Sequence, residues 1–180
     1  MPARCCGRSL AQRGRLLAIT GRAISANLPA HIPQRMADRA HALLVGAAPH
    51  VNIEPLRVRA TCAGAALFLA AEYEHVRVGF TSLGARGKSS EAVAEEAAGA
   101  LITHGQSGGA LDRHLADQML LPLALASAPS TFTCEAATSH LKTNAWVIEQ
   151  FGVARVHIEE RADAGAHVTV TPLQVSFVPR

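Results

Sequence analysis

The stretch LLAITGRAISANLPAHIPQRMADRAHALL, residues 16–44, sets a β pattern directly against a helical one. Its first part, residues 16–25, is rich in β-formers and bounded by Gly14 and Asn27, which predicts a strand. After Pro29 the period changes. Ile32, Met36, Ala40 and Leu43 recur at three- or four-residue spacing within residues 30–44, and this predicts a helix. Downstream, residues 51–60, 66–73 and 75–80 read as strands and residues 84–88 as a glycine-punctuated loop. A second helix follows from Ser90 to about Thr103, with Ser89 or Ser90 as its cap. Together these predict one α+β unit of two helices on a small sheet.

The segment HGQSGGA, residues 104–110, concentrates glycine between two helical patterns and reads as a linker. Beyond it the spacing predicts a helix over residues 111–126, a short strand over 130–135 and a helix over 138–151. A hairpin of residues 155–160 and 167–170 then turns at 163–165. Pro122 falls inside the first of these helices, where it is expected to kink or end it. There is no short tandem repeat. Both halves pair two helices with a few strands, which leaves distant duplication of one βα unit open.

The chain has 180 residues, 49% hydrophobic, 17% charged and 4% aromatic, a composition unlike disordered, collagenous or coiled-coil chains. Apolar runs such as residues 63–71 and 119–128 fall short of the roughly 20 residues that cross a bilayer, so a soluble protein without a membrane partner is expected. Cys5, Cys6, Cys62 and Cys134 show neither a C-x-x-C pair nor zinc-like spacing, which fits a reduced, cytoplasmic protein. The adjacent Cys5 and Cys6 read as ordinary thiols, with oxidation or soft-metal binding as the alternative. Net charge is +3, but residues 1–37 hold Arg4, Arg8, Arg13, Arg15, Arg22 and Arg35 without an acid. Such a start reads either as a transit peptide or as a basic strand or loop that draws phosphate, and the strand at residues 16–25 favours the second.

Three constellations could carry chemistry. Residues 84–89, GARGKS, end in G-K-S, yet a phosphate-cradling P-loop needs a glycine five positions before Gly87, where Ser82 stands; a basic surface turn is the alternative. In HLADQ, residues 114–118, the side chains of His114, Asp117 and Gln118 share one helical stripe beside the apolar stripe of Leu111, Leu115 and Met119. A ring, a carboxylate and an amide on one face suit a purine; the other reading is a solvated helix face. In TSHLKTN, residues 138–144, Thr138 or Ser139 can cap the helix and place His140 in its first turn, with Thr143 and Asn144 nearby. A helix start welcomes phosphate, and an imidazole beside a phosphate is a ready nucleophile. A hydrogen-bonded or solvent-facing histidine is the plain alternative. The other histidines show no ligand spacing.

HLADQMLLPLALA at residues 114–126, followed by TSHLKTNAWVIEQF at residues 138–151, resembles the carboxy-terminal signature of the RNA 3′-terminal phosphate cyclase family. GRAISANLPAHIPQRM within residues 13–36 and LGARGK at residues 83–88 resemble the same family, so the likeness runs along nearly the whole chain.

This resemblance implies a fold of α+β class: part of a large domain of βαβαββ-type repeats, like that of the enolpyruvate transferases, plus a small inserted α/β domain. The implied division is residues 1–12 as the end of a truncated large-domain segment, 13–103 as the inserted domain and 104–180 as the last repeat of the large domain. The implied activity is ATP-dependent conversion of an RNA 3′-phosphate to a 2′,3′-cyclic phosphate. His140 would form the covalent adduct with AMP donated by ATP, assisted by Mg2+ or another divalent cation whose ligands the motifs do not name. His114, Leu115, Ala116, Asp117 and Gln118 would form the adenylate-binding segment, with His114 stacking on adenine where many members have tyrosine. The family's greater length implies a missing amino-terminal half, hence a truncated reading, a partner chain or a remnant. The different-class alternative is a catalytically inactive RNA-binding or ribosome-assembly relative, against which a histidine at position 140 speaks.

Overall fold

The computed structural model describes residues 7, 9–162 and 165–173. Arg4, Cys5, Cys6 and Arg8, and Asp163 and Ala164 of the expected hairpin turn, lie outside the described residues. The chain forms two compact units. One is continuous, Gly14–Gln106, and the other is split between Met1–Arg13 and Ser107–Arg180.

The continuous unit contains β2 (Leu16–Ala26), α1 (His31–Leu44), β3 (His50–Val58), β4 (Gly64–Tyr73), β5 (Arg77–Leu83) and α2 (Ser90–Gln106). Its sheet runs β3-β2-β4-β5; β2 and β3 are parallel across the α1 crossover, and β4 and β5 complete it antiparallel. Alternation along the strands turns Ile19, Ala23, Leu67, Leu69, Ala71, Val78 and Phe80 into the core. Both helices cover this face. Their contact is lined with small residues, Ala37 and Ala40 on α1 and Ala94, Ala97 and Ala98 on α2, all buried. Two ion pairs, Arg35–Glu91 at 2.8 Å and Arg39–Glu95 at 2.7 Å, advance four residues along each helix, so α1 and α2 run in the same direction. Ser89 caps α2 by accepting from Ala92 N–H.

The split unit contains β1 (Ser9–Leu10), α3 (Arg113–Ala124), β6 (Ser130–Cys134), α4 (Ser139–Gln150), β7 (Ala154–Glu160) and β8 (Ala166–Pro172). Its sheet runs β1-β6-β8-β7, with β1 parallel to β6 and the other pairs antiparallel. Ala116, Leu120 and Leu123 of α3 and Leu141, Ala145 and Ile148 of α4 pack with Phe132, Val168 and Val170 in one core. Phe132 at its centre is fully buried.

Two expectations are corrected. The boundary between the two units, Gln106 and Ser107, lies within the glycine-rich residues 104–110, but α2 does not end near Thr103: it continues through His104 and Gly105 to Gln106, because the His104 ring is buried against Tyr73 and Phe80. Gly109 is there for want of space. A Cβ on it would collide with the backbone of Cys134 and Glu135, and Ala110 and Leu111 hydrogen-bond to Thr133 O just beyond. The helix expected over residues 111–126 is shorter at both ends. Leu111 is held in a parallel bridge to Cys134, and α3 ends within a turn of Pro122.

Candidate active site

The Leu111–Cys134 bridge does more than trim α3. Cys134 is the last residue of β6, and α4 starts shortly after it at Ser139; Leu111 lies just before α3. Both helices therefore begin at the same end of the split unit's sheet. The join is reinforced by Glu135 N–H donating to Leu111 O at 3.1 Å and by the Arg113–Glu135 ion pair at 2.8 Å.

The caps of the two helices differ. Asp112 precedes α3, is 6% exposed, and its Oδ1 accepts from the N–H groups of His114 (2.9 Å) and Leu115 (3.0 Å). That carboxylate satisfies amides at the helix start and adds negative charge there. Thr138 precedes α4 and, among the described residues, its hydroxyl accepts from one amide, Leu141 N–H at 3.1 Å. The Ser139 and His140 amides lie in the first turn, ahead of the intrahelical ladder, and the cap brings no charge. The first helix start thus carries a negative charge from its cap and the second carries none.

On α4, His140 is exposed on a stripe with Asn144, Val147 and Phe151, about a quarter-turn round the helix from the buried Leu141, Ala145 and Ile148. On α3, His114 and Gln118 are exposed and Asp117 half-buried, all on the solvent side; Leu115 is half-buried and Ala116 fully buried against the core. The structure thus brings the HLADQ segment and His140 to one end of one sheet. The other nucleophile candidate at that end is Cys134. Burial pushes its thiol pKa up, and its S–H lies against the carbonyls of Ala136 and Ala166, which marks a structural rather than reactive cysteine.

The G-K-S segment is not an open phosphate cradle. Lys88 Nζ donates to Ser82 Oγ at 3.1 Å and Leu83 O at 3.0 Å and is paired with Glu96, which holds the ammonium against its own unit. Among the described residues no three of His, Cys, Asp or Glu gather as a metal-holding cluster, and no helix is long and apolar enough to cross a membrane.

Two roles escape the sequence reading. Asp112 caps α3 rather than lying inside it, although an Asp directly before a helical pattern is itself a start signal. Arg13 counts in the sequence only as charge, yet its guanidinium donates to Ser107 O at 2.7 Å and Gly109 O at 3.1 Å, tying the two segments of the split unit together. No short-range pattern reports that interaction.

Known proteins resemble this chain over most of its length. Residues 11–105 match the family model of the RNA 3′-terminal phosphate cyclase insert domain. A protein named RNA 3′-terminal phosphate cyclase from Methylococcus capsulatus is 60% identical over 146 residues, which cover 81% of this chain and 40% of that protein. Proteins of the same name from Trichormus variabilis (45% identical; 86% of this chain, 44% of the relative) and Pseudomonas aeruginosa (37%; 92% and 48%) are also similar. The chain spans less than half the length of these curated relatives. With over half of its residues matching the family's insert-domain model, the chain belongs to the RNA 3′-terminal phosphate cyclase family.

Proposed function

We propose that this chain carries the adenylylating histidine and the adenylate-binding segment of an ATP-dependent RNA 3′-terminal phosphate cyclase working on RNA ends in the cytoplasm. In this reading an imidazole nitrogen of His140 attacks the α-phosphorus of ATP; the P–N bond forms, the bond to the bridging oxygen breaks and pyrophosphate leaves. The adenylyl group then passes to an oxygen of the RNA 3′-phosphate and frees the imidazole. The vicinal 2′-hydroxyl attacks the 3′-phosphorus, AMP departs, and a 2′,3′-cyclic phosphate remains.

The observation that carries this is the Leu111–Cys134 bridge, which sets the starts of α3 and α4 at one end of one sheet. It supports a division of labour. The α4 start, with a neutral cap and amides ahead of the ladder, receives the α-phosphate beside His140. His114, Asp117 and Gln118 on the solvent side of α3 receive adenine and ribose, groups without the charge that Asp112 would repel. Leu115 and Ala116 hold this segment on the core from beneath. A divalent cation belongs to the same proposal, held chiefly by phosphate oxygens of the substrate, as magnesium commonly is at nucleotide sites.

In-line transfer also needs the pyrophosphate and metal to be oriented, and such orientation contributes roughly 7 to 11 kcal/mol to lowering a barrier. Residues of the relatives beyond the matched span are proposed to supply it, so these 180 residues alone are expected to be nearly inactive. The test compares the chain alone with the chain joined to the region of the Methylococcus relative that the match leaves uncovered. Each is incubated with ATP labelled in the α-phosphate, denatured and counted. Acid-labile, alkali-stable label is expected on the joined chain and is expected to vanish in His140→Asn. Label that persists in that variant disproves the assignment.

A further inference from the structure

Both helices of the split unit carry a second apolar surface besides the one they bury. On α4, Val147 and Phe151 continue the stripe of His140 and Asn144; on α3, Leu121 and Leu125 continue that of His114 and Gln118. The two stripes repeat one pattern, polar at i and i+4 and apolar at i+7 and i+11. All four apolar side chains are exposed, Phe151 at 80% and Leu125 at 69%. Because α3 and α4 both begin at the Leu111–Cys134 end of the sheet, their apolar ends lie together at the other end.

Contacts with β7 fix which way the α4 stripe faces. Glu149 Oε1 accepts from Val156 N–H at 3.0 Å and Lys142 pairs with Glu160 at 2.6 Å. That flank of α4 is therefore turned to β7, the edge strand in the order β1-β6-β8-β7. Lys142 and Glu149 stand on one side of the buried Leu141, Ala145 and Ile148, and Val147 and Phe151 stand on the other. The stripe thus faces the β6 side, where the backbone bridge holds α3. On α3, Arg113 pairs with Glu135, which lies between β6 and α4, and Leu121 stands two turns along the same flank. Leu121, Leu125, Val147 and Phe151 border one groove between the helices, and the candidate site is its other end.

A helix that is apolar on its core side and again on its outer flank is made to lie between two layers. Single exposed apolar residues need no partner, but four large ones along one groove mark an interaction surface. More than half of each curated relative lies outside the match. We propose that the apolar end of this groove is the docking surface for the polypeptide region that the relatives carry outside the match. That region lays an amphipathic segment between α3 and α4, with its apolar side on Leu121, Leu125, Val147 and Phe151. Because the groove runs on to His140 and Asn144, the docked segment also borders the candidate site. A second copy of this chain is the competing occupant, and the length of the relatives speaks for the first. The proposal rests on the family membership and uses none of the adenylyl chemistry.

The experiment introduces F151C or L125C into the 180-residue chain and into the same chain joined to the uncovered region of the Methylococcus relative. Reaction of each new thiol with a maleimide is timed by peptide mass, without ATP. Both positions are expected to react roughly tenfold or more slowly in the joined chain, because a docked side chain reacts only when its interface opens. L83C, at an exposed position of the continuous unit, is expected to react equally fast in both. F151D is expected to lower the melting temperature of the joined chain and to leave that of the chain alone unchanged. Circular dichroism checks that each variant keeps its fold. Equal rates at 151 and 125 in the two chains, equal slowing at all three positions, or an equal loss of melting temperature from F151D in both would each overturn the proposal. So would protection in the chain alone that grows with its concentration, the mark of a second copy. With no nucleotide present, failure here leaves the assignment of His140 standing, and failure of that assignment leaves this one standing.

Discussion

The starts of α3 and α4 sit at the same end of the same sheet, joined through one backbone bridge, yet they differ in electrical character. Asp112 gives α3 a buried carboxylate that takes two of its amides, whereas Thr138 gives α4 a neutral hydroxyl that takes one. Both residue types are favoured helix caps, each stabilising by about 1 to 2 kcal/mol, so either would serve stability at either start. The difference bears on what each start can hold. A carboxylate cap disfavours an anion at its helix start and a hydroxyl cap does not, and the proposed function uses that difference to assign the charged part of the nucleotide to the start of α4.

The sharpest way to break this contrast is Thr138→Asp. Aspartate caps as well as threonine, so the fold should hold, but it brings a negative charge to the proposed phosphate site. Two like charges about 4 Å apart repel by roughly 4 kcal/mol near a protein surface. Labelling of His140 in the joined chain should therefore fall by at least about a hundredfold at an unchanged unfolding temperature; labelling at the original rate would remove the phosphate from this site. Next in size is Asp117→Ala. Loss of a hydrogen bond to a charged group costs about 1.5 to 3 kcal/mol, so ATP should bind roughly ten- to a hundredfold more weakly while the melting curve stays in place.

Smaller effects separate the caps themselves. Asp112→Ala should cost up to about 2 kcal/mol of stability, and Thr138→Ala about 1 kcal/mol. Chemical denaturation reads both, and a larger loss at Thr138 would invert the comparison. The smallest effect is expected in acid. Arg15 holds the Glu74 carboxyl below the usual glutamate range by hydrogen bonds from its backbone N–H and guanidinium, the Arg35 side chain does so for Glu91, and Lys88 for Glu96. A carboxyl whose folded-state pKa is depressed stabilises above its unfolded pKa, and that stability is lost as pH falls through the folded value. Because these pairs are exposed, the loss should be slight and should shrink further in salt. A continuous unit that grew more stable below the glutamate range would contradict it.

Much of this was legible in the sequence. The change of period within residues 16–44 corresponds to β2 and α1, and the strands of the continuous unit fell within a few residues of their expected places, helped in β2, β4 and β5 by alternation over a one-sided core. The HLADQ and TSHLKTN segments were legible as helix starts, since capping residues leave local traces. The bridge that joins those starts was not legible, because it pairs Leu111 with Cys134 across the whole of α3. Glycine misled for a related reason. At residues 104–110 it signalled freedom, whereas His104 is locked by distant aromatic rings and Gly109 is small because the backbone of Cys134 and Glu135 passes against it. The G-K-S at residues 87–89 lacked the first glycine of a phosphate-binding loop, and Lys88 is held by Glu96, which fits the basic surface turn that the sequence offered instead.

The hold of Arg13 on Ser107 and Gly109 has a consequence for the order of assembly. The split unit cannot close until Ser9–Leu10 returns to pair with Thr131 and Phe132, so a long intervening loop must be gathered first, at an entropic cost that rises with the logarithm of its length. The continuous unit is made of neighbours in sequence and can condense without waiting. Once it has, the tether is no longer a floppy loop but a folded body, and Arg13 need only lock its own segment to Ser107 and Gly109. Folding is therefore expected to proceed from the middle of the chain outward. Arg13→Ala should slow the final, sheet-closing phase while leaving the early phase, and the unit formed in it, untouched.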